Sequence, residues 1–143
     1  MIIPDVNLLL YAEFDAFPQH EAARRWWEGA INGDRQVGIP AVSLFGFLRT
    51  ATSRRIFTAP LPVKDAIARV EAWLAPSHVR FLVAGPHHLE IALALLAEID
   101  TAGNLTTDVQ LAAHAIENQA DLCSNDRDFG RFSGLRWKNP LDS

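Results

Sequence analysis

A single cysteine in a chain of 143 residues leaves no internal disulfide to form and fits a reducing compartment. Cys123 lies in the apolar run DLCS, where a small buried hydrophobe is expected rather than a nucleophile. No apolar run is long enough to cross a bilayer. The opening MIIPDVN lacks the basic region, apolar stretch and cleavage site of a signal peptide, so a cytoplasmic protein is expected. Glycines such as Gly29, Gly33 and Gly46 are spaced singly, which excludes a phosphate-cradling loop. No Gly-x-Ser-x-Gly elbow supports a serine hydrolase. His20, His78, His87, His88 and His114 are scattered, and none pairs with Cys123 in a zinc pattern; His87 and His88 are expected on the surface at a helix start.

Net positive charge is missing too. The balance is −4, which argues against a non-specific nucleic-acid binder. Of thirteen cations, however, eleven are arginine, the side chain that forks onto phosphate oxygens and stacks on bases. Arg49, Arg54 and Arg55 fall together in FLRTATSRRIF. A solvated helix end explains them individually; a local phosphate-binding patch explains them as a group.

With no repeat, linker or low-complexity tract, residues 1–143 read as one domain with enough apolar content for a full core. MIIPD is a short strand and NLLLYAE begins a helix. In PQHEAARRWWEGAING, Ala23, Trp26, Trp27, Ala30 and Ile31 share a helical face between Pro18 and Gly33. Trp26 and Trp27 point about 100° apart, so one of them is expected outside the core, and a two-fold contact that buries extra apolar surface is expected without assigning the helices that meet. QVGIP reads as the second strand, with a helix from Ala41 to about Ser53 after it. PVKDAIARVEAWLAP follows as a helix with Ile67, Val70, Trp73 and Leu74 inward, and then the strand HVRFLV. PHHLEIALALLAEID is an apolar helix stopped near Gly103; TTDVQLAAHAIENQ is the next helix, DLCS the fourth strand and LRWKN a fifth. Alternating strands and helices imply an α/β fold with a parallel sheet covered on both faces.

Ligands of such sheets lie beyond the carboxyl ends of the strands. Asp5 ends the first strand, Asp126 follows the fourth, and Asp108 occupies the first turn of the helix leading into it. Each has an ordinary explanation. Asp5 suits a helix cap, Asp126 caps RDFGRF, and Asp108 gains from a helix dipole behind Thr106 or Thr107 as cap. Capping does not require convergence, though, and grouped carboxylates raise one another's pKa unless a cation neutralises them. Mg²⁺ or Mn²⁺ would supply that cation. An aspartyl phosphatase would want a second acid where Asn7 stands, and a response regulator an acid pair that is absent.

Taken in order, PDVNLLLYA, TTDVQLAAHAIENQADL, SNDRDFGRF and GLRWKNP resemble the PIN-domain ribonucleases of the VapC toxin type, from bacterial toxin–antitoxin pairs. The resemblance implies a three-layer α/β/α sandwich with a mainly parallel sheet of four to five strands. It also implies a Mg²⁺- or Mn²⁺-dependent endoribonuclease, a homodimer and a cognate VapB-type antitoxin. The family's acidic site falls on Asp5, Asp108 and Asp126 as ligands, with Asp128 beside them as a further catalytic candidate. Asn7, Thr107 and Ser124 carry groups suited to holding those carboxylates, and Arg49, Arg54 and Arg55 are candidates for RNA contacts. One family acid is missing: where a glutamate is usual, this chain reads LFGFLR, with Gly46. That departure keeps a second expectation open, a degenerate module that binds RNA or an antitoxin without cutting.

Overall fold

The computed structural model describes residues 1–99 and 105–142. Five strands form one sheet in the order β3-β2-β1-β4-β5, every pairing parallel. These are β1 (Ile2–Pro4), β2 (Val37–Pro40), β3 (Val79–Leu82), β4 (Asp121–Cys123) and β5 (Arg136–Lys138). Among the described residues six α-helices accompany them: α1 (Val6–Glu13), α2 (His20–Asn32), α3 (Ala41–Ala51), α4 (Val63–Leu74), α5 (His88–Ile99) and α6 (Thr106–Asn118). No helix among the described residues is long and apolar enough to cross a membrane.

Side chains alternate across a strand, so each buried strand feeds two cores. Ile2, Val37, Ile39, Val79 and Cys123 pack with Leu8, Trp27, Phe47 and Trp73 beneath α1–α4. Ile3, Leu82 and Leu122 face the other way, toward Leu95, Leu111 and Phe129 beneath α5 and α6. The result is three layers, with helices on both faces of the sheet. The order reverses around β1: the chain winds outward through β2 and β3, then returns to place β4 on the other side. That reversal opens a crevice beyond the carboxyl ends of β1 and β4.

Some expectations need correction. Ile67 is 46% exposed; α4 turns Ala66, Val70 and Trp73 inward instead, because the helix lies against the sheet on a narrower stripe. Helix α3 ends at Ala51, two residues early, where Thr52 bonds back to Leu48. Trp27 is only 4% exposed, and Trp26 rests half-buried against the same core, so this pair leaves no ring wholly outside. His88 is not a free surface residue: its ring lies 4.2 Å from that of buried His114. The stop near Gly103 lies outside the described residues.

Candidate active site

Parallel register sets the first contact of the crevice. Pro4 pairs with Cys123, so Asp5 and Ser124 leave their strands side by side. The Asp5 amide donates to the Cys123 carbonyl at 2.9 Å. Buried Ser124 donates its hydroxyl to Asp5 Oδ2 at 2.7 Å, and its own Oγ accepts the Asp126 amide at 3.0 Å. Asn7 Nδ2 reaches that hydroxyl at 3.4 Å, while Asn7 Oδ1 is buried with no partner among the described residues.

For Asp5 and Asp126, capping coexists with a shared contact through Ser124. Asp5 is the N-cap of α1, its Oδ1 accepting the Val6 amide at 2.7 Å. Asp126 caps the 3₁₀ helix Arg127–Arg131, accepting the Asp128 amide at 2.9 Å. Asp108 lies in the first turn of α6, but Thr106 and Thr107 are inside that helix and Leu105 takes the cap position without a side-chain bond. Exposed Asp128 meets Arg131 at 3.3 Å on the rim.

The electrostatics separate this edge of the sheet from the opposite one. Burial is the main force raising the Asp5 carboxyl, opposed by the Ser124 and Val6 bonds and reinforced by Asp126. Asp108 is pushed up to about 6, first by burial and then by the charges of Asp5, Asp126 and Asp128, with Arg131 pulling the other way. Asp121, at the start of β4, is instead bridged by Arg35 and Arg136, and its carboxyl is lowered chiefly by the Arg35 bond. At the carboxyl edge, then, like charges accumulate without enough cation to balance them. Among the described residues no three acid or histidine side chains stand close enough to clasp an ion as they are arranged. The donors are nonetheless all oxygen, and the unpartnered Asn7 Oδ1 adds one more. That set fits a hard divalent ion that keeps several of its waters and takes one or two carboxylates directly.

Gly46 faces this crevice from α3. A Cβ there would meet Val6 Cγ2 at 2.6 Å, so the position that carries the family glutamate is closed by the first residue of α1. Asp5, Val6, Gly46, Arg49 and Thr107 border an open cavity of about 740 Å³. Arg54 lies along a neighbouring cavity and Arg55 on the surface, both after the end of α3. None of Arg49, Arg54 and Arg55 has an acidic partner among the described residues. Sequence reasoning missed Arg131, which pairs with Asp128 and offsets the charge around Asp108, because that pairing depends on how the 3₁₀ helix turns back. It missed Phe45 as well, which lines the cavity from α3. Cys123 is buried and its thiol pushed up to about 12, mainly by burial, so it is inert at neutral pH.

Comparison with known proteins agrees with this architecture. A family model described as "PIN domain" matches residues 2–135. Ribonuclease VapC33 of Mycobacterium tuberculosis is 55% identical over 141 residues, 99% of each chain. Ribonuclease VapC37 of the same organism is 40% identical over 98% of this chain and 97% of its own. Among solved structures, VapBC2 from Rickettsia felis, bound to a DNA fragment from its promoter, aligns with a TM-score of 0.70 and 20% identity over 97% of this chain and 98% of its own. Mycobacterium tuberculosis VapC20, described as a sarcin-ricin loop cleaving toxin, aligns at 0.68 and 17% over 95% and 99%. The chain belongs to the PIN-domain family and groups with its VapC-type members.

Proposed function

We propose that this protein is a divalent-metal-dependent endoribonuclease, the toxin of a VapBC-type pair, that hydrolyses RNA phosphodiester bonds at the acids around Asp5. The observation that carries the reading is Asp108, half-buried and raised to about 6 by burial and three neighbouring aspartates. Folding alone gains nothing from that repulsion; a cation relieves it. Full-length similarity to proteins named ribonucleases supports the same activity.

Asp5, Asp108 and Asp126 would hold Mg²⁺ or Mn²⁺, directly or through its waters, and the ion would supply charge to the phosphoryl oxygens and ease ionisation of the attacking water. Protein donors occupy one lone pair on each Asp5 oxygen, which fixes that carboxylate's orientation. Ser124 and Asn7 carry the orientation on to Asp126 and to the start of α1, and Thr107 lines the cavity beside them. Asp126 or Asp128 would accept the proton of the water as its oxygen bonds to phosphorus and the RNA P–O bond breaks, the departing sugar oxygen taking a proton from solvent. Arg49, Arg54 and Arg55 contact phosphates on either side. A VapB-type antitoxin is the expected partner, in keeping with the VapBC complexes among the structural neighbours. The protein would work as a homodimer in the cytoplasm.

The closed position at Gly46 favours one rival, a module that binds RNA without cutting it. Incubation of structured RNA with the purified protein decides between them. Cleavage that needs Mg²⁺ or Mn²⁺ and stops with chelator supports the nuclease; tight binding without cleavage in either metal supports the module.

A further inference from the structure

Helix α3 has two faces. Ser43, Leu44, Phe47 and Ala51 turn into the core. Val42, Phe45, Gly46 and Arg49, spaced i, i+3, i+4 and i+7, form a stripe on the other side and line the cavity that begins at Asp5. A solvated helix face would be polar there. Instead Phe45 leaves 64% of its surface in solvent beside an apolar floor of Val6 and Val42. One turn on, Arg49 has no acidic partner among the described residues. Past it, the end of the helix leads into a second cavity of about 660 Å³ lined by Thr52 and Arg54.

A flat apolar surface, a guanidinium one turn away and carboxylates at the other end together match one nucleotide unit. The ring suits a base, the cation suits the next phosphate, and the acids suit the phosphodiester to be broken. A metal ion has no use for the apolar floor. An apolar protein side chain would fill the floor but would leave the run from Arg49 to Arg54 without a partner. The floor exists because Gly46 lets α3 approach Val6; a glutamate would put a carboxylate where a base now fits.

We propose that this face of α3 seats an unpaired nucleobase next to the scissile phosphate, stacked on Phe45, with Arg49 holding the phosphate on its far side. The assignment rests on the nuclease reading and deepens it. A paired base has both faces covered by its neighbours, so this seat admits only loops, bulges or single strands.

The test uses hairpin RNAs with randomised loops, cleaved by the full-length protein in Mg²⁺, from which the best substrate is resynthesised with an abasic residue next to the cut. Phe45→Ala should lower kcat/KM on the intact hairpin by about ten- to a hundredfold. The abasic hairpin should cost the wild type the same factor, and Phe45→Ala should lose nothing further on it. Phe45→Tyr should keep most of the activity. Losses that multiply, an unaffected Phe45→Ala, or an equal loss on every substrate together with a changed oligomeric state would overturn the seat. A second readout stands apart from cleavage: the Asp108→Asn variant in Mg²⁺ with 2-aminopurine at the same position, whose fluorescence drops on stacking. For this arm the hairpin is the best cleaved or, where nothing is cut, the best bound. Quenching that disappears with Phe45→Ala supports the seat even if the wild type cuts nothing, in which case only the nuclease reading fails. Equal quenching in both proteins, or no binding, rejects the seat.

Discussion

The Ser124 hydroxyl ties Asp5 to Asp126, donating to the first carboxylate at 2.7 Å and accepting the amide of the second residue at 3.0 Å. It is wholly buried, so no water replaces it in place. Ser124→Ala should therefore leave a half-buried amide and a carboxylate oxygen short of partners, at a cost of about 1–3 kcal/mol in urea denaturation. Metal affinity, read by titrating Mn²⁺ against cleavage rate, should fall about 10- to 100-fold. Unchanged affinity with lowered stability would reduce Ser124 to a packing role.

Asp5, Asp108 and Asp126 should behave as one unit. Each change to Asn keeps the shape but removes the charge, and each should abolish cleavage while circular dichroism shows an intact fold. Asp108→Asn should also raise the melting temperature of the metal-free protein, because the raised carboxyl loses its three acidic neighbours' repulsion. Exposed Asp128, already bound to Arg131, should tolerate Asn with a much smaller loss. Full activity in any of the first three variants contradicts the site.

Restoring a side chain at residue 46 should fail for steric reasons. Gly46→Ala places its Cβ against Val6 Cγ2 at 2.6 Å and should destabilise the fold by about 1–3 kcal/mol, despite alanine's better helix propensity. Val6→Ala removes the offending Cγ2 and leaves Val6 Cβ at 3.7 Å, so the double variant should recover. Equal stability of all four proteins would show that α1 and α3 simply move apart.

His114 makes stability depend on pH. Its conjugate acid is pushed down to about 4, first by burial and then by His88, with Glu117 opposing. An unfolded histidine titrates near 6.5. Between those values the unfolded chain takes up a proton that the folded chain refuses. The contribution is thus complete above about 6.5 and is lost as pH falls toward about 4. Urea midpoints at about pH 7 and about pH 5 should differ less for His114→Leu than for wild type.

We propose that the expected homodimer meets through the exposed apolar side chains of β3 and α5 rather than through the tryptophans of α2. Phe81 and Val83 share one side of the edge strand and its exit, exposed by 45% and 69%. Leu89 and Leu93, four residues apart on α5, are exposed by 67% and 55%. Leu93→Glu should give a monomer in light scattering at a concentration where the wild type is a dimer, with Trp26→Glu as the contrasting change on α2.

Short-range pattern in the sequence was enough to place every strand and to put Asp5 and Asp126 at one edge of the sheet. A residue leaving a parallel strand must lie at its carboxyl end, whatever the partners are, and the period of apolar residues tells helix from strand locally. Ile67 shows the limit of that logic: it repeats with the buried residues of α4, yet how far a helix rolls on the sheet decides which edge of its stripe stays wet. Contacts between distant segments needed the fold itself. Ser124 meets Asp5 only because β1 and β4 pair in one register, 119 residues apart in the chain. The absence of a glutamate at Gly46 is visible in the sequence, but only the fold shows that Val6, from another helix, fills the space a side chain there would need. Phe45 reads as an ordinary core residue until α3 turns it into the cavity beside the acids. Composition and periodicity act along the chain and set element type and edge; register, helix roll and close approach arise from packing across it, and these decided the shape of the site.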